Sequence, residues 1–165
     1  MTVIPTNSEL QIASPTARSS ARHGIVSDED IYAQAALNVL VIDDQRTVRR
    51  IVRQLLSDLH VRHVYEAEDG QGGLDVMTAP DAPWIDMVIC DLMMEGMDGL
   101  GFCNKLRSDP ALRNRHIPVL ILTAEHNELI LNVVRQVGAA DIAHKPISAI
   151  QLKDRLERLV GIRFT

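Results

Sequence analysis

The sequence contains no apolar run approaching the roughly 18 residues needed for a membrane span. Thr, Asn, Ser and Glu occupy the N-terminal stretch where a secretory signal would be apolar. A soluble protein with no membrane partner is expected. Cysteine is scarce: Cys90 and Cys103 have neither a short metal-type spacing nor further cysteines to form a framework, so a reducing cytoplasm with two buried thiols is expected. Positive charge is not in excess, with 17 Lys and Arg against 22 Asp and Glu and a formal net charge of −5. That balance argues against a surface built to neutralise nucleic-acid phosphates. No internal repeat is present. Gly70, Gly72 and Gly73 lack the GxGxxG order of a dinucleotide site, and a turn is their better reading.

The chain is long enough, at 165 residues and 46% hydrophobic, for one domain with a substantial core. Residues 1–26 mix Ser, Thr, Pro, Ala and Arg without hydrophobic period, and Arg18 and Arg22 read as a solvated linker. Ser27 with Asp30 three residues on resembles a capping box, extending into a short helix over Ile31 to Leu37. Residues 1–37 are therefore read as a flexible N-terminal extension that ends in a short helix, and 38–165 as the folded domain. From Asn38, short apolar runs alternate with amphipathic stretches. Strands are expected at 39–42, 61–67, 87–90, 119–122 and 140–143. Helices are expected over Val48–Leu59 and at 70–78, 99–108, 126–137 and 148–160. Five βα units imply an α/β fold, a doubly wound parallel sheet with helices on both faces. The flavodoxin-like strand order 2-1-3-4-5 would place a ligand crevice at the carboxyl ends of strands one and three.

The chemistry-bearing residues fall at those carboxyl ends. Asp43 and Asp44 follow strand one, Asp91 follows strand three, Thr123 follows strand four and Lys145 follows strand five. Singly, each is ordinary, since an Asp pair after a strand is more often a cap or turn. Together they would share one crevice. Three adjacent carboxylates repel one another unless their pKa values rise or a cation sits among them, and oxygen donors suit Mg²⁺. An Asp carboxylate can attack phosphorus when the charge on the transferring group is held. Thr123 could donate to a phosphoryl oxygen, and Lys145 could supply a point charge.

These residues give the sequence its resemblance to the response-regulator receiver family. The resemblance is carried by Val39-Leu-Val-Ile-Asp-Asp44, Val88-Ile-Cys-Asp91, Met97-Asp-Gly99, Ile121-Leu-Thr-Ala124 and His144-Lys-Pro146, and it spans about residues 38–162. The stretches Arg49–Arg53, Glu66–Gly70 and Thr123–Glu125 look like the chemotaxis CheY branch of that family. The resemblance implies a phosphoacceptor in two-component signalling rather than an enzyme. Asp91 would take a phosphoryl group from a phosphohistidine on a histidine kinase or a histidine phosphotransfer protein. It implies that Asp44 and Asp91 ligate Mg²⁺ directly, that Asp43 acts largely through water, and that the Met93 backbone carbonyl completes the protein ligands. It also implies a cis peptide at Lys145–Pro146.

Several positions depart from the family pattern. Glu95 stands where a proline commonly follows the phosphoacceptor, and Ile142 stands where many members carry a Tyr or Phe that turns inward as the threonine moves. Aromatic switching is therefore not carried over. Met93 and Glu125 occupy the places that tune the lifetime of the phosphoryl group. No patterning for an output domain is present, so signalling is expected to pass through docking on a downstream protein. On the helix after strand four, Ile130, Val133, Val134 and Val137 are expected to form the core stripe, with Leu129 and Leu131 on its flanks. Arg46, Arg49, Arg50 and Arg53 read individually as a solvated face. A non-phosphorylated binding module and a phosphate sink in a phosphorelay are the alternatives. A dehalogenase-like phosphatase is disfavoured because Met93 stands where such an enzyme needs an acid.

Overall fold

The computed structural model describes residues 26–164. The tail expected before Ser27, including Arg18 and Arg22, lies outside the described residues except for Val26. Helix α1 (Asp28–Ala36) leads directly into β1 (Asn38–Ile42). There follow α2 (Arg46–Asp58), β2 (His63–Ala67), α3 (Gly70–Thr78), β3 (Met87–Cys90), α4 (Gly99–Ser108), β4 (Val119–Thr123), α5 (Glu128–Gln136), β5 (Asp141–His144) and α6 (Ala149–Val160). The five strands form one parallel sheet in the order β2-β1-β3-β4-β5, as expected for a flavodoxin-like fold.

Strand alternation divides the core into two layers. Leu40, Ile42, Val88, Cys90, Val119 and Ile121 point to the side carrying Leu74, Phe102, Leu106 and Leu131. Val39, Val41, Met87, Ile89, Leu120 and Leu122 point to the side carrying Val52, Leu56, Leu152 and Leu156. The central strands β1, β3 and β4 are buried on both faces, which explains why their sequences run apolar without alternation.

Helix starts are set by side-chain caps. Ser27 and Asp30 form the expected capping box on α1, with Asp30 N donating to Ser27 Oγ at 3.1 Å. Asp69 accepts from Gly72 N and Asp98 from Gly101 N, each at 2.8 Å, and Ser148 with Gln151 forms a second capping box. The apolar run at 61–67 begins pairing only at His63. Val61 is buried but belongs to the turn that closes α2, its N–H donating to Leu56 O at 3.0 Å, with His60 in the left-handed region at φ 61°.

Two readings of helix faces are corrected. On α5 the buried residues are Leu131 and Val134, whereas Leu129, Ile130 and Val133 are exposed. The helix is rotated so that residues three apart at 131 and 134 meet the sheet, and an apolar stretch this rich offered two almost equivalent stripes. On α2, Arg49 is buried with Val52 and Leu56 on the sheet-facing stripe, and it is not part of a solvated face; Arg46, Arg50 and Arg53 are exposed.

Cys90 and Cys103 are free and buried, as expected. Burial, with the nearby Cys103 and Asp91 charges, pushes the Cys90 thiol well above its ordinary value, and burial pushes Cys103 up to about 11. Neither forms appreciable thiolate at neutral pH, so a colorimetric disulfide reagent should react with both only after denaturation. Rapid stoichiometric reaction of the native protein would contradict this packing.

Candidate functional site

The site is assembled where the sheet's hydrogen bonding runs past the strand ends. Asp43 N donates to Ala67 O at 3.1 Å, Asp91 N to Ile42 O at 2.8 Å and Lys145 N to Thr123 O at 2.8 Å. Each key residue is therefore fixed by its backbone to a neighbouring strand. Asp43, Asp44 and Asp91 each offer a carboxylate oxygen within 4.8 Å of the others. Asp43 and Asp91 are buried and Asp44 is exposed, leaving the cluster open on one side. Lys145 Nζ lies 2.7 Å from Asp43 Oδ2 and 3.3 Å from Asp91 Oδ1. Thr123 is buried, and its Oγ1 accepts from Glu125 N at 3.0 Å, so its own hydrogen is free for an acceptor in the crevice. Asp91, Met93, Thr123 and Lys145 line a common cavity of about 520 Å³ with Gln45, Ala124, Glu125 and His126. All five side chains singled out in the sequence thus converge. Met93 lines the cavity with an exposed side chain. The Lys145–Pro146 peptide is cis.

The electrostatics follow from burial and crowding. Burial first, then the Asp43 charge, raises the Asp91 pKa against the opposing pull of Lys145. Burial disfavours charge on Lys145, but its hydrogen bond to Asp43 and the Asp43 and Asp91 charges outweigh that and raise its pKa. Lys145 is therefore charged throughout the physiological range. The folded Asp91 value lies above the unfolded one, so the native state retains that proton in a window just above the ordinary carboxylate range. Its contribution to stability falls as pH rises through the window. In metal-free buffer the wild type should lose stability relative to Asp91→Asn as pH rises from acid toward neutrality. Parallel denaturation profiles for the two proteins would contradict this assignment.

The donor set fits a magnesium ion. It is all oxygen, carries excess negative charge that a single lysine only partly offsets, and is open to solvent at Asp44.

Three contributors were given no role at the site by sequence reasoning. Arg49 Nη1 donates to the Asp43 carbonyl at 2.8 Å and Nη2 reaches Glu68 at 3.4 Å, bracing the turn that carries the acid pair. Its position three and seven residues before Val52 and Leu56 on one helical stripe was the available signal. His126 and His144 stack with ring centroids 4.5 Å apart and planes 3° from parallel, joining the loop after β4 to the end of β5. No sequence pattern announces such a pair. Gly99 has its Cα against the Asp91 backbone: a Cβ there would stand 2.3 Å from Asp91 O.

A sheet of this order with an acid cluster, a threonine and a lysine at its carboxyl edge defines a receiver domain. The family model for the response regulator receiver domain matches residues 39–157, and the chain belongs to that family. Among individual relatives, it is 35% identical over 123 residues to chemotaxis protein CheY-3 of Vibrio cholerae, covering 74% of this chain and 91% of that one. It is 32% identical over 132 residues to the cyclic di-GMP phosphodiesterase response regulator RpfG of Xanthomonas campestris, covering 79% of this chain but 34% of that protein. Among solved structures, the Vibrio cholerae chemotaxis protein CheY4 aligns with a TM-score of 0.65 at 28% identity, covering 74% of this chain and 98% of that one. The receiver domain of a signal transduction histidine kinase from Syntrophus aciditrophicus aligns with a TM-score of 0.67 at 25% identity, covering 76% and 91%. Ile142, at the place of the family's switching aromatic, is buried in the core. No helix among the described residues is long and apolar enough to cross a membrane.

Proposed function

We propose that this receiver domain accepts a phosphoryl group on Asp91 from a phosphohistidine carried by a histidine kinase or histidine phosphotransfer protein. It would pass the signal on by docking to a downstream protein in the cytoplasm. The observation that carries the reading is Lys145 Nζ within 3.3 Å of Asp91 Oδ1 in the cavity that also holds Thr123. An ionised Asp91 oxygen attacks phosphorus, the P–N bond to the donor imidazole breaks, and that imidazole leaves with the bond's electron pair and takes up a proton. The Thr123 hydroxyl donates to one phosphoryl oxygen. Lys145 exchanges its contact with Asp43 for the new anionic group, since three rotatable donors on a flexible stem allow it to follow the charge. Asp43, Asp44, Asp91 and the Met93 carbonyl are the residues that would hold Mg²⁺. When bound it neutralises the acid cluster and charge building on the phosphoryl oxygens.

The test is intact-mass measurement after incubation with acetyl phosphate. The wild type should gain one phosphoryl group with Mg²⁺ and none with EDTA, and Asp91→Asn should gain none under either condition. An unmodified wild type, also refractory to a phosphohistidine donor, would leave a binding module with no phosphotransfer role.

A further inference from the structure

A second cavity lies away from the phosphoacceptor, between α1, α2 and the free edge of the sheet at β2. Its volume is about 790 Å³, against about 520 Å³ over Asp91, and the two cavities share no residue. The charged side chains lining it are all basic: Arg50, Arg53 and Arg62, with His60 beside them. Arg53 is occupied, since its Nη2 donates to Glu66 Oε2 and to the Val64 carbonyl, each at 3.0 Å. Arg50 and Arg62 are exposed and have no acidic partner among the described residues. Ile31 and Val64 add aliphatic surface to the same lining, and Ile31 is 46% exposed. This cationic groove belongs to a chain whose net charge is −5, so the excess is local.

We propose that this groove is a second docking site that takes an acidic segment of a partner protein, its carboxylates on Arg50 and Arg62 and its apolar side chains on the aliphatic surface. Charge complementarity selects the occupant. The chain's own residues 1–25 contain one acid, Glu9, against Arg18 and Arg22, and so lack the charge to fill it. A second copy meeting this face by a two-fold axis would set the same arginines against one another. A lining that combines cations with aliphatic side chains suits a peptide better than an isolated inorganic anion, which has no use for the apolar part.

The probe is a fluorescein-labelled peptide alternating Glu with Leu and Val, with a counterpart carrying Lys in place of Glu, titrated by anisotropy against the full chain. The wild type should bind the acidic peptide, more weakly as salt is raised, and should not bind the lysine peptide. Arg50→Glu/Arg62→Glu should weaken binding by more than about tenfold. Far-UV circular dichroism and the urea midpoint of the double variant should match those of the wild type, which verifies the fold. Asp91→Asn should bind the acidic peptide like the wild type, so the groove and the phosphoacceptor fail or stand separately. Equal affinity of the double variant, binding of the lysine peptide, or no binding by the wild type would overturn the proposal. So would a concentration-dependent dimer in sedimentation velocity that the double variant abolishes.

Discussion

Lys145→Met is expected to slow phosphoryl uptake from acetyl phosphate by about a hundredfold or more, the scale for removing one preorganised charge aimed at a transferring group. In metal-free buffer it should also destabilise the fold. Lys145 Nζ contacts Asp43 at 2.7 Å and Asp91 at 3.3 Å, and those carboxylates are only 4% and 7% exposed. Stripping one partner from a fully buried ion pair costs about 3–5 kcal/mol. The Lys145 side chain is 19% exposed, so solvent screening and protonation of Asp91 bring the expected loss to roughly 2 kcal/mol. Adding Asp43→Asn should recover much of that loss by removing one of the two stranded charges. Denaturant titration of the two single variants and the double variant in EDTA measures the coupling. Additive losses would mean that Lys145 and Asp43 do not act as a pair.

Gly99→Ala should cost about 3 kcal/mol, although alanine is the better helix former by about 1 kcal/mol. Gly99 opens α4, and its N–H donates to Leu92 O at 2.9 Å, which draws the helix start against the backbone of Asp91 and Leu92. A Cβ would stand 2.3 Å from Asp91 O and 3.0 Å from Leu92 Cα. Both obstacles are backbone, so relief requires moving Asp91 itself, and phosphoryl uptake should fall along with stability. Gly161→Ala is the control. That glycine caps α6 at φ 73° with nothing within 4 Å of its added Cβ, so only the left-handed conformation is penalised, by about 1 kcal/mol. Urea midpoints for the two variants should differ accordingly, and similar midpoints would remove the steric argument.

Most of this architecture is legible in the chain because its elements carry strong local signals. The runs ending at Ile42, Cys90 and Leu122 are apolar throughout, as strands buried on both faces must be, and Ser27 with Asp30 announces the start of α1. Asp43, Asp91 and Thr123 are legible for the same reason, since each sits immediately after or at the end of such a strand, while Lys145 follows the shorter, partly exposed β5. What was not legible depends on rotation and distance. Leu131 and Ile130 are equally apolar, so sequence alone does not choose which meets the sheet. The boundary at His63 was obscured because Val61 is buried by a helix-closing turn. Arg49 has the composition of a surface residue, and although it shares a stripe with Val52 and Leu56, its partners, the Asp43 carbonyl and Glu68, become visible only in the fold. The stacking of His126 on His144 arises from the pairing of β4 with β5, which no local pattern encodes.

The most direct test of the central claim is to locate the modified residue. Wild-type protein treated with acetyl phosphate and Mg²⁺ is reduced with borohydride, which converts an aspartyl phosphate to homoserine, and is then digested and sequenced by tandem mass spectrometry. Homoserine at position 91 alone is the predicted result. Reduction at Asp43 or Asp44 with Asp91 intact, or at none of the three, would contradict the account.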